Sequence, residues 1–292
     1  MVKKYSDLYR EARQILIDAG EEPREAGVLA RQMLAFISGK NNAQLIADSE
    51  KYAQDDVIER MDAAIARLAA GEPMAYVMGE WEFYGLNLIV TPDVLIPRDD
   101  TVAVAEVAIN QALFLEEKPR ILDLCTGSGC IGLAIASRVK DAKVTLADLS
   151  REALAIAKKN VTNHKMTGRV SCVHVDALAE PPAFLGQFDM IVSNPPYITR
   201  TEMGELERSV ADYEPHMALF GGEDGLDFYR AIAKNYRKCL KPGGYLCFEF
   251  GDGQGDSVCE ILEANGYTIL ERSRDYNDRE RAVIAQYGRK ED

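Results

Sequence analysis

From residue 119 onward, apolar runs of strand length alternate with stretches of helical periodicity, and that alternation leaves few folds open. Residues 120–124, 143–148, 170–175, 188–193 and 245–250 read as strands. Residues 131–138, the stretch after Ser150 carrying Ala153, Leu154, Ile156 and Ala157, and residues 226–240 read as helices. A helix between two strands is a crossover, and crossovers build parallel sheet. A further helix near 256–265, closed by Gly266, precedes two last strand candidates, 267–270 and 282–286. The expected fold is α/β, with a seven-stranded Rossmann-like sheet.

Residues 1–71 carry a different pattern. Leu8, Ala12, Ile15, Leu16 and Ala19 recur at helical spacing, with Gly20 as a stop. Pro23 suits a first helical turn, and Val28, Leu29, Met33, Leu34 and Ile37 continue to Gly39. A short helix is expected over 42–47. Asp55 or Asp56 is placed to cap a fourth, with Val57, Met61, Ile65 and Leu68 on one face and Gly71 behind it. This bundle holds no catalytic constellation, so it either packs and dimerises or docks a partner. Residues 72–98 read as a linking hairpin, with 81–84 and 86–90 flanking Gly85. Pro92 and Pro97 bracket 93–96, Arg98 follows, and Thr101 or Asp100 is placed to cap a helix through Val104, Val107 and Leu113. Arg98 is either a solvated charge or, fixed beside a proline, a ligand contact. Residues 99–292 form the sheet domain.

Composition narrows the partners. The net charge of −13 disfavours stable binding to nucleic acid or anionic membrane. No apolar run reaches the roughly 18 residues of a membrane span, and the first residues lack an apolar signal core, so a cytoplasmic protein is expected. Six cysteines without a C-x-x-C pair and three histidines speak against a metal centre.

Two stretches carry chemistry. In Cys125-Thr126-Gly127-Ser128-Gly129-Cys130, a strand turns into a helix, and glycine there lets a ligand approach the backbone. Asp148 ends the next strand, where an acid can accept both hydroxyls of a ribose; capping the following helix is its alternative role. Asp176 ends the third strand, within reach of an adenine amine or as a cap. Because Gly132 completes G-x-G-x-x-G, the pattern alone leaves a dinucleotide open. Asp123, inside the first strand, favours S-adenosylmethionine, since its carboxylate can meet an ammonium group. The second stretch, Asn194-Pro195-Pro196-Tyr197, follows the fourth strand. Neither proline donates a backbone hydrogen bond, so the strand stops there, and Pro195 holds Asn194 extended. An amide and an aromatic ring are thus presented rigidly at a strand's carboxyl end.

The set Asp123-Leu124-Cys125-Thr126-Gly127-Ser128-Gly129, Asp148 and Asn194-Pro195-Pro196-Tyr197 resembles class I methyltransferases that act on a planar nitrogen. Four further segments, 71–76, 96–101, 214–219 and 274–276, are similar to motifs of the protein-(glutamine-N5) methyltransferases of peptide chain release factors. The resemblance runs from about residue 71 to the end. It implies S-adenosylmethionine as cofactor and the glutamine of a Gly-Gly-Gln loop in class 1 release factors as substrate, methylated by a monomer. It implies Asp123, Cys125, Thr126, Gly127, Ser128, Gly129, Asp148, Leu149, Asp176, Ala177 and Asn194 as cofactor-binding, and Asn194, Pro195, Pro196, Tyr197 and Arg98 as substrate-binding. Asn194, Pro195 and Tyr197 are the candidates for catalysis. An amide nitrogen has a delocalised lone pair and two N–H donors. The Asn194 side-chain oxygen and the Pro195 carbonyl are expected to accept one each, with Tyr197 packed over the amide plane. The chain departs from the family at Cys125, usually glycine, at Asp99, usually proline, and at Val102, usually glutamate. A glutamine of a ribosomal protein, an exocyclic amine of nucleic acid, or plain nucleoside binding without transfer remain alternatives at this stage.

Overall fold

Helical periodicity first and strand–helix alternation after it become two units in the computed structural model, which describes residues 2–115 and 118–288. The first unit is Met1–Gly79 with Arg208–Tyr213. Its helices are α1 (Tyr5–Asp18), α2 (Pro23–Ser38), α3 (Asn42–Ala47), α4 (Asp55–Ala69) and α5 (Met74–Met78). Leu8, Leu16, Met33, Met61 and Ile65 fill their shared core. Pro23 opens α2 as expected, and Gly39 closes it in the left-handed conformation. Asn41 and Gln44 cap α3 reciprocally. Neither Asp55 nor Asp56 is the cap of α4. Both lie in its first turn, where a negative charge suits the helix dipole, and Gln54 precedes them without a side-chain bond. Ile15 and Val28, expected on inner faces, are exposed, because the hydrophobic stripe is narrower than the run of apolar residues. The Tyr213 hydroxyl donates to the Ala70 carbonyl at 3.0 Å and so ties a distant segment to this unit.

The second unit is Glu80–Glu207 with Glu214–Asp292. It opens with the hairpin β1 (Glu80–Phe83) and β2 (Leu86–Ile89), joined by Tyr84 and Gly85, both at positive φ, as a tight hairpin turn requires. The division falls between Gly79 and Glu80, inside the stretch expected as a linker. Phe83 and Leu88 pack into the core of the second unit, and the buried Asn160 side chain bonds both the N–H and the carbonyl of Ile89, at 2.7 and 3.0 Å.

A short 3-10 turn, Asp99–Thr101, then runs straight into α6 (Val102–Ala112). Thr101 makes no cap, and Leu113 lies past the helix, exposed. The sheet follows with β3 (Arg120–Leu124), α7 (Cys130–Arg138), β4 (Lys143–Asp148), α8 (Arg151–Asn163), β5 (Val170–His174) and β6 (Phe188–Ser193). After α9 (Arg200–Met203) and α10 (Arg208–Ala211) come α11 (Asp227–Asn235), β7 (Leu240–Glu249), α12 (Gly255–Ala264), β8 (Tyr267–Arg274) and β9 (Glu280–Tyr287). Helix α11 stops earlier than the pattern implied and continues as a 3-10 turn to Cys239. Strand β7 starts earlier than expected. Residues 242–244 sit within it as an irregularity, because Leu240 already pairs with Phe188 and Tyr245 with Met190.

The strand order is β5-β4-β3-β6-β7-β9-β8, with β9 antiparallel to both neighbours. Both faces are covered, as parallel sheets demand. Along β6, Met190 and Val192 join the core under α6 and α7, while Phe188 and Ile191 join the one under α11 and α12. Chain order reverses at β3, which has β4 on one side and β6 on the other. A crevice opens at the carboxyl ends beside such a switch point.

Candidate active site

That crevice is a cavity of about 680 Å³, counting space open to solvent. Cys125 after β3, Asp148 and Leu149 after β4, Asp176 and Ala177 after β5, and Asn194 and Pro196 after β6 all line it, with Gly127. Four consecutive loops of the chain therefore meet at one place.

The turn after β3 is built by hydrogen bonding. Asp123 is fully buried; its Oδ2 accepts from the Thr126 hydroxyl at 2.6 Å and the Gly132 N–H at 2.9 Å, while Oδ1 has no partner. Burial pushes its carboxyl up to about 7 against those two bonds. Gly132 allows this: a Cβ there would lie 2.2 Å from Leu146 Cδ2 and 2.9 Å from Asp123 Oδ2. The third glycine of the G-x-G-x-x-G pattern thus serves helix–sheet packing. Gly127 sits at φ 54 with open space where a Cβ would be. Its N–H donates to Asp148 Oδ2 at 2.8 Å, and the Ser150 N–H donates to Oδ1 at 2.9 Å. Each oxygen keeps a second lone pair. Burial raises the Asp148 carboxyl, and those backbone donors oppose the rise. Ser150, not Asp148, gives α8 its side-chain cap, accepting from Ala153 N at 3.0 Å. Asp176 Oδ1 accepts from Leu178 N at 2.8 Å. Thr126, Ser128 and Gly129 are buried behind the cavity. They shape the turn, and the Ser128 carbonyl accepts from Asn160 at 2.9 Å.

The 194–197 loop is gripped from behind. The Ile198 N–H donates to the Leu219 carbonyl, and Gly221 N–H donates back to Ile198, both at 2.9 Å. A Cβ on Gly221 would sit 2.6 Å from the Pro196 carbonyl, and one on Gly225 2.3 Å from that of Tyr197. The Gln254 amide donates to the same Tyr197 carbonyl at 3.0 Å. Pro195 is buried and Tyr197 half-buried, and burial raises the Tyr197 hydroxyl's pKa. Asn194 Nδ2 donates to Thr101 Oγ1 at 3.3 Å, and Glu249 lies beyond, 2% exposed, with Oε2 unpartnered.

Arg98 does not line the cavity. It is ion-paired with the buried Glu214, which also accepts from Ile96 N at 3.3 Å. Its neighbours Asp93, Val94 and Leu95 line the cavity instead, together with Pro215, Met217, Ala218 and Phe228. None of these was singled out individually, although 214–219 stood out as a segment. Asp275, from the segment 274–276, pairs with Arg281 at 3.3 Å, and Arg281 also pairs with Asp100 at 3.1 Å. No group of His, Cys, Asp and Glu able to hold a metal occurs among the described residues.

A switch-point cavity fed by the first four strands of such a sheet is the arrangement of Rossmann-like methyltransferases. Comparison with known proteins carries this further. Residues 103–210 match the methyltransferase small domain, and residues 7–79 match the PrmC N-terminal domain. The release factor glutamine methyltransferase of Clostridium acetobutylicum is 37% identical over 88% of this chain and 90% of its own. That of Geobacter sulfurreducens is 36% identical over 88% of each. A methyltransferase structure from Pyrococcus furiosus covers 77% of this chain and 98% of its own, with 19% identity and a TM-score of 0.51, and shares the fold. The chain belongs to the release factor glutamine methyltransferase family.

Proposed function

We propose that this protein methylates the side-chain nitrogen, N5, of the glutamine in the Gly-Gly-Gln loop of class 1 peptide chain release factors, using S-adenosylmethionine. The observation that carries the reading is that a rigid amide, Asn194, shares one cavity with Asp148, which ends β4, and Asp176, which the structure places two residues past the end of β5. The residues present fit the cofactor. Asp148 would offer lone pairs to the ribose hydroxyls and Asp176 and Ala177 would border the base; Asp123 is buried behind the cavity lining, with an unpartnered Oδ1 that would accept from an ammonium group. Cys125, Gly127 and Leu149 complete the lining, over the turn formed by Thr126, Ser128 and Gly129.

The bound cofactor supplies an electrophilic methyl group. The chain's own task is to present a poor nucleophile. Asn194 Oδ1 and the Pro195 carbonyl accept the two N–H bonds of the substrate amide and aim its nitrogen's lone pair. They would also stabilise the positive charge that grows there as the N–C bond forms and the methyl's bond to the cofactor sulfur breaks, its electron pair staying on sulfur. Pro196 and Tyr197 hold the plane of the amide. The proton would leave after the methyl arrives, when it has become acidic, passing along the hydrogen bond to the acceptor that holds it and on to water, so the site needs acceptors and no strong base. Arg98 acts through Glu214 to fix the loop around Pro215.

The test is labelled S-adenosylmethionine with purified release factor, wild type against a Gln→Ala substitution in its Gly-Gly-Gln loop. Label on the wild type alone is expected. Label on ribosomal protein, RNA or DNA instead would overturn the substrate.

The reading extends to the first unit, residues 1–71 of the expected division, as a docking module for the release factor, with 72–98 as linker and 99–292 as methyltransferase domain. A groove on it is lined by Arg13, Arg24 and Arg31 beside Tyr9, in an otherwise acidic chain. Charge reversal at Arg24 and Arg31 should raise KM for the release factor several-fold and leave cofactor affinity alone; an unchanged KM removes the docking role from this groove. A cytoplasmic monomer without nucleic-acid or membrane partners completes the proposal. Among the described residues no helix is long and apolar enough to cross a membrane.

A further inference from the structure

We propose that Gln254 is a positioning residue for Tyr197: its side-chain amide fixes the peptide unit that follows the tyrosine and, through it, the ring that packs on the substrate amide. The inference rests on the reading of Asn194-Pro195-Pro196-Tyr197 as the amide-binding loop. Two prolines restrict that loop before Tyr197; beyond it the chain has no such covalent restraint. Gln254 supplies one from outside. Its Nε2 donates to the Tyr197 carbonyl at 3.0 Å, and its Oε1 accepts from the Gly251 N–H at 2.9 Å. A peptide N–H only donates and a peptide carbonyl only accepts, so these two partners leave the glutamine amide a single orientation. At the other end of the same peptide unit, the Ile198 N–H donates to the Leu219 carbonyl at 2.9 Å. The peptide between Tyr197 and Ile198 is thereby held at both its polar groups, and its plane sets the backbone from which the Tyr197 side chain projects.

Gln254 stands directly before α12, where a polar side chain ordinarily caps the helix, yet it makes no capping bond. The turn that leads from β7 into α12 is closed by the backbone instead, the Gln254 N–H donating to the Gly251 carbonyl at 3.1 Å. The side chain is therefore free to serve the neighbouring loop. Two glycines make room for it. A Cβ on Gly225 would lie 2.6 Å from Gln254 Nε2 as well as 2.3 Å from the Tyr197 carbonyl. One on Gly251 would lie 3.0 Å from both Gln254 Oε1 and Tyr197 Cδ2. Gly251 thus orients the glutamine with its N–H and, lacking a side chain, lets the edge of the tyrosine ring come against it. The loop after β7 holds Tyr197 at two points, its carbonyl and its ring.

The test uses the full-length enzyme with Gln254→Met, which keeps the length of the side chain and removes both hydrogen bonds, and Gln254→Glu. The second keeps an acceptor for Gly251 and sets another acceptor against the Tyr197 carbonyl. Both should lower kcat/KM for the release factor by about 10- to 100-fold, the scale of a small misplacement of reacting groups, with Q254E the slower. Affinity for S-adenosylmethionine, by calorimetry, should stay within about threefold. Amide hydrogen exchange gives a readout apart from activity. Pro195 and Pro196 carry no N–H, so a peptide spanning residues 194–199 reports chiefly on Tyr197, Ile198 and Thr199. It should exchange faster in both variants, while peptides over residues 123–135 keep the wild-type rate. Unchanged exchange over 194–199, or near-normal kcat/KM in Q254M while N194A is inactive, would overturn the positioning role and leave the amide-binding loop standing. Faster exchange over 123–135 with an equal loss of cofactor binding would also overturn it, because Gln254 would then be supporting the fold. Near-normal turnover in N194A would remove the amide-binding reading itself, and the positioning role with it.

Discussion

The two sides of the cavity are made differently. The nucleoside side is assembled from neighbours in the chain: Asp123, Thr126 and Gly132 close one turn, and Gly127 ties it to Asp148 on the adjacent strand. The amide side is assembled from afar. Asn194 meets Thr101 across 93 residues, Glu249 comes from β7, and Arg281 from β9. Each side buries an acid, Asp123 and Glu249, and each leaves one carboxylate oxygen unpartnered. The difference suggests that binding and chemistry are held by separable networks, one local and one long-range.

The sharpest way to break that comparison is Asn194→Ala. Removing one acceptor aimed at developing charge should lower kcat by at least about 10²-fold. Affinity for S-adenosylmethionine, measured by calorimetry, should move by only a few-fold. Comparable losses of binding and turnover would show that the two networks are one. The mirror-image change is Asp148→Asn, which trades a charged acceptor for a neutral one on the nucleoside side. Hydrogen bonds to a charged group contribute about 1.5–3 kcal/mol, so cofactor affinity should fall about 10- to 100-fold. Turnover at saturating cofactor should be nearly retained.

How well each side was readable in the sequence follows the same division. Strands β3, β4 and β6 were found within a residue of their ends, because apolar runs between turn signals are local information. Gly127, Asp148 and Asp176, singled out on the same local grounds, line one cavity, whereas Asp123 is buried behind it. Thr101 was visible only as a helix cap, a sensible reading for a threonine before an apolar helix, yet its hydroxyl is committed to Asn194. Glu249 passed as one residue of a strand. The signal that marks it was present: an acid inside the apolar run 245–250 must be buried, and a buried acid needs partners. Asp123, inside an apolar strand in the same way, stood out only as a contact for an ammonium group. Arg98 was placed near a ligand, but its partner Glu214 lies 116 residues away, and no spacing rule reaches that far. Strand order was equally hidden. The insertion of β9 between β7 and β8 is decided by packing of whole elements, and no local pattern reports it.

The two buried acids sharpen the comparison through pH. Both have folded-state pKa values above their ordinary ones, about 7 for Asp123 and about 8 for Glu249. The folded protein therefore holds these protons where the unfolded chain has released them. Their ionisation removes stability as pH rises from about 4 to 7 for Asp123, and from about 4.5 to 8 for Glu249. The free protein's Tm should fall across that window, and Asp123→Asn should flatten the lower part only. If the cofactor's ammonium pairs with Asp123, binding at pH 6 should release protons, seen by calorimetry in two buffers of different ionisation enthalpy. The release should disappear in Asp123→Asn and persist in Glu249→Gln. Equal release from both variants would deny Asp123 its place beside the cofactor.

The smallest effect is expected at a strained backbone position on the nucleoside side. Cys125 adopts φ 58, a left-handed conformation that costs an L-residue about 1–2 kcal/mol. Cys125→Gly relieves that strain. It also frees the unfolded chain, at about 0.5–1 kcal/mol, and withdraws a side chain that packs on the core under α11. These terms oppose each other, so the net change in stability should stay within about 1 kcal/mol, a Tm shift of only a few degrees. Cys125→Val keeps the strained backbone and adds a β-branch, for which positive φ is a true outlier, and it should be clearly less stable than either. Because the Cys125 side chain lines the cavity, the glycine variant should alter cofactor affinity a few-fold at most and kcat not at all. A large loss of kcat in Cys125→Gly would mean that the turn after β3 reaches the amide side after all, and the separation of the two networks would fail at its most local point.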